Sequence, residues 1–208
     1  MGESKSEARV EEIIEAAAKL YSFKGFKDIT LKDISEATDY TRTSIYYYFH
    51  TKEEIFLALL EREYKGWIED LEQLTASEGA LTRAKFATRF ANTLAKHDRL
   101  LKILSMNHYD LEEGCRDSHL VTFKGVYGKV LKSVDQCIKH FFPKMTTIER
   151  DRFIYVFFPF MFGVYPYCVV SDRQREAMRK ARVNFRYMTV NELIEAAILQ
   201  LLPDTAEN

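Results

Sequence analysis

The sequence predicts an all-α protein in two parts: a three-helix helix-turn-helix domain over residues 1–53, joined by a long helix to a larger helical domain over residues 54–208. Three observations predict it. Apolar residues recur at helical spacing through most of the chain, and no stretch shows strand-like alternation or an internal repeat. Cap signatures of the form Thr-x-x-Asp or Thr-x-x-Glu precede the apolar runs at Thr30, Thr51, Thr146 and Thr189. Within Thr30 to Lys52 the helical pattern is interrupted by only three residues, the interval of a tight turn between two short helices.

The chain begins with a polar stretch to Val10, read as a flexible arm; with no apolar run behind it, it is not a signal peptide. Val10, Ile13, Ile14, Ala17 and Tyr21 then follow helical spacing, and Gly25 after Lys24 is a helix stop. Thr30 and Asp33 can cap a short helix carrying Ile34 and Ala37. Thr38-Asp39-Tyr40 makes the turn, with Asp39 able to take a left-handed conformation. Thr41 caps a second helix through Phe49. Phe26, Ile29, Ile34, Ile45 and Phe49 would form the miniature core that sets the angle of this second helix.

That helix is apolar on one side only. Ile45 and Phe49 share a face, leaving Arg42, Thr43, Ser44, Tyr46 and Tyr47 to project elsewhere. An Arg can bond bidentately to guanine, Ser and Thr can bond to several bases, and Tyr hydroxyls hold phosphates. No acid lies between Asp39 and Glu53. Lys52 would stand on the first turn of the next helix, where its amine and the helix amides could clamp a phosphate.

Ile55, Phe56, Leu59, Leu60, Tyr64, Trp67, Ile68, Leu71 and Leu74 keep one apolar stripe over several turns, a single long helix leaving the first domain. Thr75 to Leu81 reads as a linker. Phe86, Phe90 and Leu94 mark the next helix, and Asp98 caps a short one to about Met106. A polar interval from Asn107 to Ser118 precedes a long helix through Phe123, Tyr127, Val130, Val134, Ile138 and Phe141, closed by Pro143. Thr146-x-x-Glu149 opens a segment whose part Phe153 to Val170 has no charged side chain. Its length touches the transmembrane threshold, but two interior prolines and aromatics throughout argue for a buried helix. Such a helix, apolar all round, is satisfied by a dimer interface on one face and a ligand cavity on the other. The basic cluster from Arg173 to Arg186 reads as a solvated helix or loop. A last helix from Thr189 carries Val190, Leu193, Ile194, Ala197, Ile198 and Leu201, and stops before Pro203.

Composition narrows the function classes. With 208 residues, 47% hydrophobic and 29% charged, the chain is an ordinary globular protein, and its net charge of −1 excludes a promiscuous nucleic-acid coat. Residues 1–53 hold eight Lys or Arg against ten Asp or Glu, a net of −2, so any DNA affinity must come from local placement. Cys115, Cys137 and Cys168 form no disulfide framework and no zinc ribbon, which fits a reducing cytoplasm. No HExxH, no G-x-S-x-G and no Gly-rich phosphate loop is present, so neither enzymatic activity nor a cofactor is expected. His108, Asp110, Glu112, Glu113, Cys115, Asp117 and His119 could offer metal ligands, but the expected reading is an exposed acidic loop with no metal.

The segments IIEAAAKLYSFKGF, ITLKDISEAT and TRTSIYYYFHTKEEI, in order over about fifty residues, resemble the N-terminal domain of the TetR family of bacterial transcriptional repressors. The resemblance implies that Thr41, Arg42, Ser44, Tyr46 and Tyr47 face the major groove or its phosphates, and that Tyr48, Thr51 and Lys52 fall at backbone-contact positions. Lys32 and Thr43 complete the expected DNA-binding set. The pattern departs at Asp39, where a Gly usually opens the turn, and at Thr43, where Gly or Pro is frequent. It also implies a homodimer through Glu149 to about Val170 and Val190 to Leu202, bound to a palindromic double-stranded operator and released by an effector. Trp67, Phe90, Met106, Tyr109, Phe123, Tyr127, Phe158, Phe162 and Tyr165 supply the side chains for a small apolar or aromatic effector. The rival expectation is a helical small-molecule-binding or protein-interaction module without DNA; no membrane partner is expected.

Overall fold

The computed structural model describes residues 2–77, 79–106 and 108–203, with the side chains of all but 2–4, 77 and 108–110. The described residues form eleven α-helices and no strand: α1 (Gly2–Phe23), α2 (Leu31–Glu36), α3 (Arg42–Tyr48), α4 (Lys52–Ser77), α5 (Arg83–Ala95), α6 (Asp98–Leu104), α7 (His108–Glu113), α8 (Asp117–Phe141), α9 (Thr147–Cys168), α10 (Asp172–Lys180) and α11 (Val190–Leu201). Two compact units share them. Unit 1 comprises Met1–Tyr64 with Asn107–Gly128, and unit 2 comprises Lys65–Met106 with Lys129–Asn208. Helices α4 and α8 therefore contribute residues to both.

In unit 1 the expected miniature core forms: Ile29, Ile34, Ile45 and Phe49 are buried with Ile13, Ala17 and Tyr21 of α1 and with Ile55, Phe56, Leu59 and Leu60 of α4. Burying each large side chain contributes roughly 1.5–3 kcal/mol, enough to hold helices as short as α2 and α3, which could not persist alone. Phe56 meets Tyr21 and Phe26 edge-on, at centroid distances of 5.1 and 4.8 Å. The α2 cap is reciprocal: the Asp33 amide donates to Thr30 Oγ1 at 3.2 Å, and the Thr30 amide donates to Asp33 Oδ2 at 2.8 Å. Lys24 adds a 2.8 Å ion pair to Asp33, joining the end of α1 to the start of α2.

Three expectations are corrected here. Residues 2–10 belong to α1 and are not an arm, because Glu, Ala and Arg are good helix formers and Arg9 finds partners in Tyr48 and Tyr40. Asp39 is not left-handed, since Arg182 is the one described non-glycine residue with positive φ. The α2–α3 turn is held by side chains: Ser35 Oγ donates to the Tyr40 carbonyl at 2.7 Å, and the Tyr40 amide donates to Thr38 Oγ1 at 3.3 Å. The polar interval after Asn107 contains α7.

Unit 2 is built on aromatic packing. Phe90 lies within 6.3 Å of Trp67, Phe86, Phe153 and Phe157, centroid to centroid. Trp67 Nε1 donates to Thr93 Oγ1 at 3.1 Å, so the one polar atom of this indole is paired. The Asp70 carboxylate takes Lys96 and His97, each at 2.9 Å, and Gly66 leaves room for that imidazole, since a Cβ there would lie 3.2 Å from His97 Cε1. The cap of α6 falls on His97, not Asp98, and makes no side-chain hydrogen bond. The interval after Thr75 is shorter than expected because α4 continues to Ser77. Arg150, nearly buried, donates to Asp135 and to the Met145 carbonyl, both at 2.7 Å, fastening α8 to the start of α9. Helix α11 packs on α5 and α9.

Helix α9 keeps its capping box, Thr146 with Glu149, and runs through both Pro159 and Pro166. Each proline removes a backbone donor, but Phe153, Phe157, Phe158, Met161 and Val164 anchor one face in the core. Elsewhere on the helix large side chains are exposed: Ile148 is 73% exposed, Tyr155 80% and Tyr167 62%. Among the described residues no single helix is long and apolar enough to cross a membrane.

Candidate nucleic-acid interface

The reader is α3. Its N-terminus is capped by Thr41, whose Oγ1 accepts from the Ser44 amide at 3.2 Å and lies 3.0 Å from Ser44 Oγ. Ile45 is fully buried, and Phe49 just beyond the helix is 2% exposed. The opposite side is open: Arg42, Thr43 and Ser44 are exposed, Tyr46 is 41% exposed, and Tyr47 is 81% exposed. An Arg and two hydroxyls at the N-terminal turn, followed by two tyrosines, give a surface that can donate, accept and stack within seven residues.

The remaining expected DNA residues divide by what they touch. Lys32 is exposed on α2, 3.6 Å from the equally exposed Glu36, a contact too solvated to hold it. Tyr48 is half-buried, and Ser6 and Arg9 of α1, hydrogen-bonding to its hydroxyl, lower its pKa below the usual tyrosine value. Thr51 Oγ1 accepts from the Glu54 amide at 3.2 Å and donates to the Gly114 carbonyl at 2.9 Å. Lys52 turns inward: its ammonium donates to the Phe26 and Ile29 carbonyls at 2.9 and 3.0 Å and sits 4.3 Å from the Phe26 ring centroid. It therefore locks the turn between α1 and α2, using two of its three donors there. Lys52→Ala is expected to lower unfolding stability by about 1–3 kcal/mol, read from urea denaturation, because two carbonyls lose a charged donor.

Behind α3 lies a cluster that periodicity could not reveal. Glu54 is fully buried, and burial alone would raise its pKa. The Arg116 guanidinium, the His50 and Arg116 amides and nearby His119 outweigh that and hold it at about 2 instead of its ordinary 4.5. A carboxyl depressed in the folded state contributes stability above its unfolded pKa and loses it as pH falls. Unfolding midpoints in urea should thus fall between about pH 4.5 and about pH 2, and Glu54→Gln should flatten that part of the profile.

Two family models match the chain. A family model described as the tetracyclin repressor-like C-terminal domain matches residues 61–202, and another, described as bacterial regulatory proteins, tetR family, matches residues 13–59. The chain belongs to the TetR family. Both models describe repressor-like or regulatory proteins.

Over 109 residues the chain is 31% identical to the uncharacterized HTH-type transcriptional regulator YfiR of Bacillus subtilis, covering 52% of this chain and 43% of the relative. Over 61 residues it is 36% identical to IcaR of Staphylococcus epidermidis, the biofilm operon icaADBC HTH-type negative transcriptional regulator, covering 29% and 33%. The chain thus spans less than half the length of each of these curated relatives. Among solved structures it is similar to the TetR-family regulator PfmR of Thermus thermophilus, with a TM-score of 0.59 over 91% of this chain and 96% of that one; at 14% identity the likeness is one of fold.

Within this TetR-family chain the residues expected around an effector separate. Phe123 and Tyr127 belong to unit 1, where both rings lie near Tyr64, at 6.3 and 6.1 Å. Trp67, Phe90 and Phe158 form packed core in unit 2, with Met106, Phe162 and Tyr165 half-buried in the same unit. The Tyr109 side chain lies outside the described residues. A groove of about 560 Å³ in unit 2 shares none of them: it is lined by Pro166, Tyr167, Val170, Met178, Phe185 and Tyr187 among others. Among the described residues no three His, Cys, Asp or Glu gather as metal ligands; the side chains of His108 and Asp110 lie outside them. Sequence reasoning missed Arg9, Glu54 and Arg116. Arg9 was open to detection by propensity alone, immediately before Val10 on an uninterrupted run of helix.

Proposed function

We propose that this TetR-family regulator is a repressor that binds a palindromic operator as a homodimer and leaves it when a small apolar or aromatic effector occupies the second unit. The observation that carries the reading is the surface of α3, where Arg42, Thr43, Ser44, Tyr46 and Tyr47 are exposed while Ile45 is buried, in a stretch with no acid between Asp39 and Glu53. Arg42 at the first position of α3 takes a base edge, Ser44 and the tyrosines take bases or phosphates, and Lys32 and Thr41 contact the flanking backbone.

Two readers are needed because one is weak. Residues 1–53 carry a net charge of −2, so nonspecific attraction is small and affinity rests on two half-sites engaged together. The exposed side of α9, together with α11, supplies the dimer surface; Ile148 and Tyr155, seven residues apart on one side of the helix, are large side chains 73% and 80% exposed. Two readers about 34–36 Å apart meet successive major grooves, and an effector that changes their separation loosens both. The negative regulator among the relatives supports repression, by occupation of a promoter.

Selection of bound duplexes from a randomised pool by the full chain tests this. Enrichment of an inverted repeat is the expected result; a pool that stays random at low salt contradicts it.

A further inference from the structure

The C-terminal end of the reading helix is held by a residue 68 positions further along the chain. One terminal nitrogen of Arg116 donates to the Tyr48 carbonyl, the last of α3, and to Glu54 Oε2, both at 2.8 Å; its Nε donates to Glu54 Oε1 at 2.7 Å. Glu54 also accepts the His50 amide at 2.6 Å and the Arg116 amide at 3.1 Å. His119 Nε2 lies 2.9 Å from the same guanidinium, and its ring packs 5.7 Å from Phe49. The backbone on both sides of Phe49 is thus tied to one ion pair whose acid is fully buried.

We propose that Arg116 is a positioning residue for DNA reading, setting the angle at which α3 presents Arg42 to Tyr47 while touching no DNA itself. The inference rests on the DNA-binding reading above. A seven-residue helix is about 10 Å long, so a tilt of about 10° about one end moves the other by about 1.7 Å, more than a bidentate base contact tolerates. The Thr41 cap and Ile45 fix the start and middle of α3; its end depends on the Tyr48 carbonyl and the His50 amide. Arg116 also immediately precedes α8, whose residues from Lys129 belong to unit 2, so a shift of that helix would be felt at Tyr48.

Positioning and stability are separable, because replacing a buried ion pair on both sides by apolar residues is often neutral, whereas removing one partner is not. The test uses the full chain carrying Arg116→Leu with Glu54→Leu, a duplex selected by the wild type, and an unrelated duplex of equal length. The double variant should stay dimeric and helical, and its preference for the selected duplex should fall at least about tenfold. Its salt dependence on the unrelated duplex should not change, since no phosphate contact is removed. An unchanged preference overturns the proposal, as does a salt slope that drops by about one, which would make Arg116 a direct phosphate contact. Should the double variant unfold, Arg116→Lys decides in the same way, because an ammonium keeps the charge but not the fork that reaches Glu54 and the Tyr48 carbonyl together. A wild type that enriches no duplex defeats the DNA-binding reading itself, a different outcome from either.

Discussion

Tyr155→Glu is expected to convert the protein to a monomer and to lower its affinity for a palindromic duplex by about 10²- to 10⁴-fold, with helix content and the stability of each chain little changed. Tyr155 is 80% exposed in the single protomer, so nothing in the protomer core depends on it. It lies on the exposed side of α9, seven residues from the exposed Ile148, and a carboxylate there would have to be buried in the proposed dimer interface. The loss on DNA follows because each half-site holds only one reader, and linking two readers raises binding without any new contact. Sedimentation and mobility shift read the two effects together. A variant that remains dimeric places the interface elsewhere, and a monomer that keeps full affinity removes the need for a dimer.

Arg42→Ala is the second large effect, of a different kind. Arg42 opens α3, exposed beside the Thr41 cap, with a side chain long enough to reach a base edge. Loss of a bidentate contact to guanine costs about 1–3 kcal/mol. The expected signature is local: sites selected by the variant keep the inverted repeat but become degenerate at one symmetric position. A uniform weakening across all sequences, with a shallower salt dependence, would mean that Arg42 holds a phosphate instead.

What was legible in the sequence is what is local. The caps at Thr30, Thr41, Thr146 and Thr189 could be read because donor and acceptor lie three residues apart, and all four form. The buried faces of α3, α4 and α11 were legible through spacing, because Ile45 with Phe49, and Ile194 with Ile198, repeat at one turn. Partners brought together by folding were not. Glu54 and Arg116 are 62 residues apart, and neither periodicity nor composition pairs them. The sequence places Lys52 at a helix start where its amine could clamp a phosphate, but a flexible four-carbon stem can fold back, and the Phe26 and Ile29 carbonyls lie within its reach. The first turns of α1 were hidden because a polar helix has no apolar stripe. The aromatic residues offered to an effector divide between the two units, since a buried ring in a packed core and one lining a cavity leave the same trace in sequence.

The central claim is that two copies of α3 read one operator together. The most direct measurement is the mass of the complex between the full chain and a duplex selected by it. Two chains on one inverted repeat, assembling without a stable one-chain species, is the predicted result. One chain bound to a single half-site with undiminished affinity would contradict it.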